Sequence, residues 1–242
     1  MTSATHAAHQ RPRAGDAASE IPSSSPAPAG DGKAHPARPP ALARGAEVSD
    51  ADFRRFQSLI QSAAGIHLAP CKKALLAGRL SRRMKELGIG TLARYYRRVE
   101  SDPAEMARML DAISTNETHF FREPAHWELL SSQLLPAWKA QADAGLRPRR
   151  IRAWSAACST GQEPYTLAMV LLSALQGWEV DILATDLSTR VLAQAREAVW
   201  PVSLAREIPE ASRRRWMLRG TGGAEGTMKA GPEIRSVVRF AR

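Results

Sequence analysis

Residues 151–165, IRAWSAACSTGQEPY, decide how the rest of this chain is read. The run 151–157 is short and apolar and predicts a buried strand. It opens through Cys158, Ser159, Thr160 and Gly161 into a helix from Glu163 to about Gln176, where Leu167, Val170, Leu171 and Ala174 recur at helical spacing. Gly161 lets the backbone approach closely at the turn, and the first amides of the helix lack intrahelical partners. Strand, glycine turn and helix N-terminus form the arrangement that α/β folds use to hold a nucleotide-like ligand. The next apolar run, 180–185, ends in Asp186. That carboxylate, roughly 25 residues after the glycine, stands where ribose hydroxyls are usually held. The turn lacks the G-x-G-x-x-G spacing, so alone it is compatible with a nucleoside site and does not single one out.

Composition narrows the classes. The 242 residues are 44% hydrophobic, enough for a core, and no run approaches the roughly 18 apolar residues of a membrane span. No apolar leader segment is read at the N-terminus. Cys71 and Cys158 lie without metal-ligand spacing, which predicts reduced thiols in a cytoplasmic protein and no metal site. The formal charge is +10. Residues 1–47 hold five basic and four acidic residues, leaving 29 basic and 20 acidic on the remainder. The excess predicts an acidic partner, either nucleic acid or a carboxylate-rich protein surface. No zinc-finger spacing, RNP-like aromatic motif or recognition-helix signature supports nucleic acid.

In order, residues 1–47 are rich in Ala, Pro and Ser and lack aromatics, which predicts a disordered tail. A helical unit, 48–123, follows. Ser49 caps a helix with the apolar stripe Phe53, Phe56, Leu59, Ile60 and Ala63. A second helix, 71–87, buries Leu76, Leu80, Met84 and Leu87. Its other faces carry Lys72, Arg79, Arg82, Arg83 and Lys85 against only Glu86, so they are either a solvated face or a docking surface for acid. Two more helices cover 91–99 and 103–113. The segment 114–123, STNETHFFRE, is either a loop anchored by Phe120 and Phe121 or a loop whose Asn116, Thr118 and Arg122 reach a ligand. A linker helix, 124–148, should kink or restart at Pro136. The α/β domain is 149–242. After a capped helix at 188–199 come a short helix and three runs of strand character, 216–219, 227–230 and 234–240. These predict a small antiparallel sheet, with the glycine-rich loop 220–226, inside a β-subdomain at 205–240.

Together these stretches resemble one family, the CheR-type chemotaxis-receptor protein-glutamate O-methyltransferases, which use S-adenosyl-L-methionine. The resemblance is carried by SDADFRRFQSLIQSAAGI, LLAGRLSRRMKELG, ISTNETHFFREPAHW, IRAWSAACSTGQEPYTLAM and VDILATDLSTRVLAQAR. TNETHFFRE and WSAACSTGQEPY are the most specific. It implies an all-α domain that docks through Arg79, Arg82 and Arg83 on the acidic, helical methylation region of a chemoreceptor. It implies a Rossmann-like S-adenosylmethionine-dependent domain with an inserted β-subdomain, whose loop 219–226 is similar to those that grip a receptor C-terminal pentapeptide. It also implies that Asn116, Thr118 and Arg122 contact the cofactor and that Arg122 stands beside the methyl-transfer site. Glu163 would meet the methionine portion and Asp186 the ribose.

Two positions depart from the family pattern, Gln162 for a commoner Glu and Cys158 for a commoner Ala or Ser. The family pattern also runs on past a segment like 234–240 into further strands. That predicts a partial sheet of two strands here, with an uncovered apolar face, and weak cofactor binding and methyl transfer. The runner-up reading is a receptor-binding protein without catalysis. No general base is missing in either case, because an ionised glutamate is already the nucleophile toward a sulfonium methyl group.

Overall fold

The computed structural model describes residues 48–242, so the tail expected at 1–47 lies outside the described residues. Four helices open it: α1 (Asp50–Ala64), α2 (Lys73–Glu86), α3 (Leu92–Ser101) and α4 (Pro103–Ile113). Each start but that of α2 is fixed by a side-chain cap. Ser49 accepts from the Asp52 amide, Thr91 from Arg94, and Asp102 from Ala104 and Glu105 with Pro103 at the first helical position. A single 3₁₀ turn, Pro70–Lys72, leads into α2 instead.

The inward faces of these helices share one core of Phe53, Phe56, Ile60, Leu76, Leu80, Tyr95, Met109 and Leu110. One charged group lies inside it. The Glu105 carboxylate is fully buried and receives Arg83 Nε at 2.8 Å, Arg83 Nη2 at 2.7 Å and the Tyr95 hydroxyl at 3.0 Å. The Arg83 fork holds the Glu105 carboxyl below its ordinary range, and burial holds the Tyr95 hydroxyl above its own.

The linker helix is two pieces, α5 (Pro124–Leu129) and α6 (Leu135–Asp143), joined by a π-helical turn at Leu130–Leu134. Pro136 is expected to kink or restart the helix, and α6 does restart there. It falls in the first turn of α6, and the irregularity is absorbed one turn earlier, where a π turn frees a carbonyl from its usual donor.

The second core is built on a parallel sheet. Strand β1 (Arg150–Ala156) leads to α7 (Gln162–Ala174), β2 (Glu179–Thr185) and α8 (Thr189–Glu197). Ile151, Val180, Ile182 and Ala184 point to the face covered by α7, with Tyr165, Ala168, Met169 and Leu171 packed on them. The inserted subdomain comprises β3 (Val199–Pro201), a 3₁₀ segment at Val202–Glu207, α9 (Glu210–Trp216), β4 (Met217–Arg219) and β5 (Thr227–Ala230). It is an antiparallel sheet in the order β3-β5-β4.

Several expectations are corrected here. The run 234–240 is not a third strand of the antiparallel sheet. Its first half is helical, in α10 (Pro232–Ser236), and its second half is β6 (Val238–Ala241), which pairs in parallel with β2. The place in the subdomain expected for it is taken by β3, which pairs with β5. Buried Ile234 and Val238 satisfy a helix and a strand equally well, so a short apolar run did not settle its partner. The subdomain therefore begins before residue 205 and ends before 238. The parallel sheet consequently has three strands, β1-β2-β6, rather than two. Its opposite face carries Arg152, Trp154, Asp181, Leu183 and Arg239. Arg239 forks onto Asp181 at 2.9 and 2.8 Å, so that face is partly charged rather than simply apolar.

Candidate cofactor site

The ends of β1 and β2 converge on one turn. Cys158 N–H donates to the Thr185 carbonyl at 2.8 Å, which locks the two strand tips together. Ser159 N–H donates to Asp186 Oδ2 and Ser188 N–H to Oδ1, each at 2.8 Å, so both carboxylate oxygens are aimed by backbone and each keeps a lone pair. Gly161 has φ +95°, and a Cβ there would stand 3.1 Å from Ala195 Cβ, which explains the glycine on two counts. At the first turn of α7, Glu163 is exposed, and its Oε1 accepts from Ser155 at 2.6 Å.

The loop 114–123 closes the other side. Phe120 is buried, edge-to-face with Trp200 at 5.1 Å, and its N–H donates to Glu207 at 3.0 Å. Phe121 N–H donates to Thr166 at 3.2 Å and its ring meets Trp127. Ser159 Oγ donates to the Asn116 carbonyl at 3.2 Å, joining loop to turn. The aromatics thus anchor this loop, and of the three residues expected to reach a ligand only Asn116 lines a cleft. Among the described residues, four of the five non-glycine positions with positive φ lie here: Phe121, Glu123, Ala157 and Ser159. Such backbone costs on the order of 1–3 kcal/mol per residue and persists where packing over-determines it.

Between loop and turn lies a cleft of about 450 Å³. Asn116, Glu117, Ala157, Ser159, Asp186 and Leu187 line it from the α/β side, and residues 66–69, Lys72 and Leu75 from the helical side. Of the five residues singled out in sequence, Asn116 and Asp186 are brought together in it. Glu163 stands at the base of α7 outside the cleft wall. Thr118 is half-buried and does not line it. Arg122 is exposed, and its Nη1 donates to the Glu117 carbonyl of its own loop at 3.1 Å. Ser159, Thr166 and Glu207 were missed. Ser159 lay in the quoted turn, but nothing adjacent in sequence marks Thr166 or Glu207, whose partners are 45 and 87 residues away.

The three arginines of α2 part company. Arg83 is committed to Glu105 and Glu86, and Arg79 Nη1 donates to the carbonyls of Ile113 and Ser114. Arg82 alone is freely exposed, at 87%, with Glu86 3.7 Å away. It lines a separate cleft of about 670 Å³ with Arg79, Arg83, Arg108 and, from α8, Arg190.

The comparisons decide the family. The SAM-binding domain of the CheR methyltransferases matches residues 116–242, and their all-alpha domain matches 51–114. This chain belongs to the CheR methyltransferase family. It is similar to chemotaxis protein methyltransferase 2 of Pseudomonas aeruginosa, 38% identical over 78% of this chain and 66% of that one. It is also similar to the chemotaxis protein methyltransferases of Salmonella typhimurium and Escherichia coli, each 36% identical over 80% of this chain, covering 65% and 66% of theirs. The chain thus spans just under two thirds of the length of these curated relatives.

A CheR SAM-binding domain implies S-adenosylmethionine, and the residues present fit it. Asp186, with two backbone-aimed oxygens, would hold a vicinal diol, and the Glu163 carboxylate would hold an ammonium group. The strand-turn-helix supplies a close-packed backbone against which both are set.

The Cys158 thiol stands behind this turn. Burial first, then the neighbouring Asp186 carboxylate, pushes it up to about 12. Cys71 is exposed. A thiol-reactive chromophore at pH 8 is therefore expected to modify one cysteine per native chain quickly, and the second only on unfolding. Two fast equivalents would contradict the packing of the turn.

Proposed function

We propose that this chain serves in the S-adenosylmethionine-dependent methylation of glutamate side chains on chemoreceptors, forming methyl esters. The observation that carries this reading is the convergence of Asn116 and Asp186 on one cleft at the tips of β1 and β2. In this reading Asp186 holds the ribose diol, Asn116 and Thr118 contact the cofactor from the loop, and Glu163 holds its methionine end. Arg122, at the loop's exposed end, turns from Glu117 to orient the acceptor carboxylate, where a guanidinium fork matches carboxylate geometry.

The bound cofactor supplies an electrophilic methyl group on a sulfonium. The chain's own contribution is alignment and exclusion of water, since an ionised glutamate needs no base to attack. The acidic methylation region of the receptor is the partner that Arg82, with Arg79 and Arg83 behind it, would dock. The loop 219–226 is the place for a receptor C-terminal pentapeptide, beside the open edge of β4. The cytoplasm is the compartment this partner requires.

The test is transfer of label from tritiated S-adenosylmethionine to cytoplasmic helical fragments of chemoreceptors. Alkali-labile label released as methanol, and absent when the acceptor glutamates are glutamines, is expected. Label that resists alkali, or none, would count against glutamate methylation by this chain.

A further inference from the structure

The two clefts share a wall. Ser114 lines both the arginine-rich cleft and the cofactor cleft, and Arg79 stands at that boundary. Its Nη1 donates to the last carbonyl of α4, Ile113, and at 2.9 Å to Ser114, the first residue of the loop that carries Asn116. The path of the chain from α4 into the cofactor loop is therefore set by a guanidinium that also lines the basic cleft. Among the described residues, Arg79 Nε and Nη2 have no hydrogen-bond partner. Those two nitrogens form the side of a guanidinium that accepts a carboxylate in a two-pronged pair. One edge of Arg79 thus holds the loop, the other has no partner, and Arg79 lines a cleft in which five arginines outnumber the two acids, Glu86 and Asp111.

We propose that Arg79 is a positioning residue that couples the two clefts: an acidic partner seated on its Nε–Nη2 edge immobilises the guanidinium, steadies Ser114 to Asn116 and tightens cofactor binding. The inference rests on the reading that the arginine-lined cleft takes an acidic partner, and it adds that docking is felt at the cofactor. Coupling of this kind is reciprocal, so the cofactor must tighten the acidic partner by the same factor. Lysine at position 79 can reach a carbonyl or a carboxylate but has no second edge with which to bridge them.

The experiment measures S-adenosylhomocysteine affinity by calorimetry, with and without a saturating glutamate-rich helical peptide, in the parent chain, R79K and R82K. About fivefold to tenfold tighter binding with peptide is expected in the parent. The factor should be retained in R82K and fall to near one in R79K while each ligand still binds separately. If Arg79 only caps α4, R79K lowers the melting temperature but keeps the parent's coupling factor, and the proposal fails. A parent chain that binds both ligands independently also overturns it. Absence of peptide binding would instead remove the docking reading on which it stands.

Discussion

Replacing Asp186 with alanine should weaken S-adenosylhomocysteine binding by about a hundredfold. Two hydroxyls of a vicinal diol donate to this carboxylate in the proposed site, and bonds to a charged group contribute roughly 1.5–3 kcal/mol each. Since about 1.4 kcal/mol is a factor of ten, losing both exceeds two decades unless water partly replaces them. The substitution also strips acceptors from Ser159 N–H and Ser188 N–H, so some loss of stability accompanies it. Asp186→Asn separates the effects. Its amide oxygen still accepts one backbone N–H, while charge and the second acceptor are gone, so affinity falls at least tenfold with a smaller change in melting. Calorimetric titration of both variants checks this. An alanine variant that binds within threefold of the parent would place the ribose elsewhere.

Arg83→Ala should be the most destabilising change among the surface-labelled arginines, despite its place on a helix that reads as a basic docking face. Glu105 is fully buried, and without Arg83 its carboxylate keeps only the Tyr95 hydroxyl and a distant Arg108 at 3.7 Å. Breaking a buried pair from one side costs about 3–5 kcal/mol. For a folded body of this size that lowers Tm by roughly 6–20 °C.

The pH dependence follows from the direction of the Glu105 shift. Its carboxyl is held below its ordinary 4.5 in the native state, chiefly by the Arg83 hydrogen bonds, so its contribution is complete above about pH 4.5 and lost as pH falls through the native value. In the variant, burial without a partner raises the same group, and acid then favours the native state. The gap in Tm between parent and variant should narrow from pH 7 to pH 5. A constant gap would mean that Glu105 is not the group left stranded.

Much of this architecture was legible because local chemistry and burial agree. Ser49, Asp102 and Pro103 announce helix starts, and Phe53, Phe56 and Ile60 of the first stripe are buried while Ala63 is exposed. The turn 158–161 follows a strand, precedes a helix and holds a glycine where packing and φ both require it. What was not legible depends on distance. The Glu207–Phe120 bond, the Arg83–Glu105 pair and the choice of β6 to join β2 link residues that no period or spacing connects. The run 234–240 shows the limit most plainly, since its apolar pattern suits either sheet and only the available edge decides.

The subdomain's position in the chain has a consequence for how such proteins diversify. It leaves the parallel sheet after α8 and returns at β6, and its two ends meet where Ala230 N–H donates to the Ala198 carbonyl at 3.0 Å. Lengthening a segment between ends already held together costs little, about 0.6 kcal/mol for each doubling of a flexible loop. Its base is another matter, because Trp200 donates to the Thr160 carbonyl at 3.1 Å and packs on Phe120. Descent can therefore rewrite the tip at 219–226 freely, while the root stays tied to the turn that ends β1.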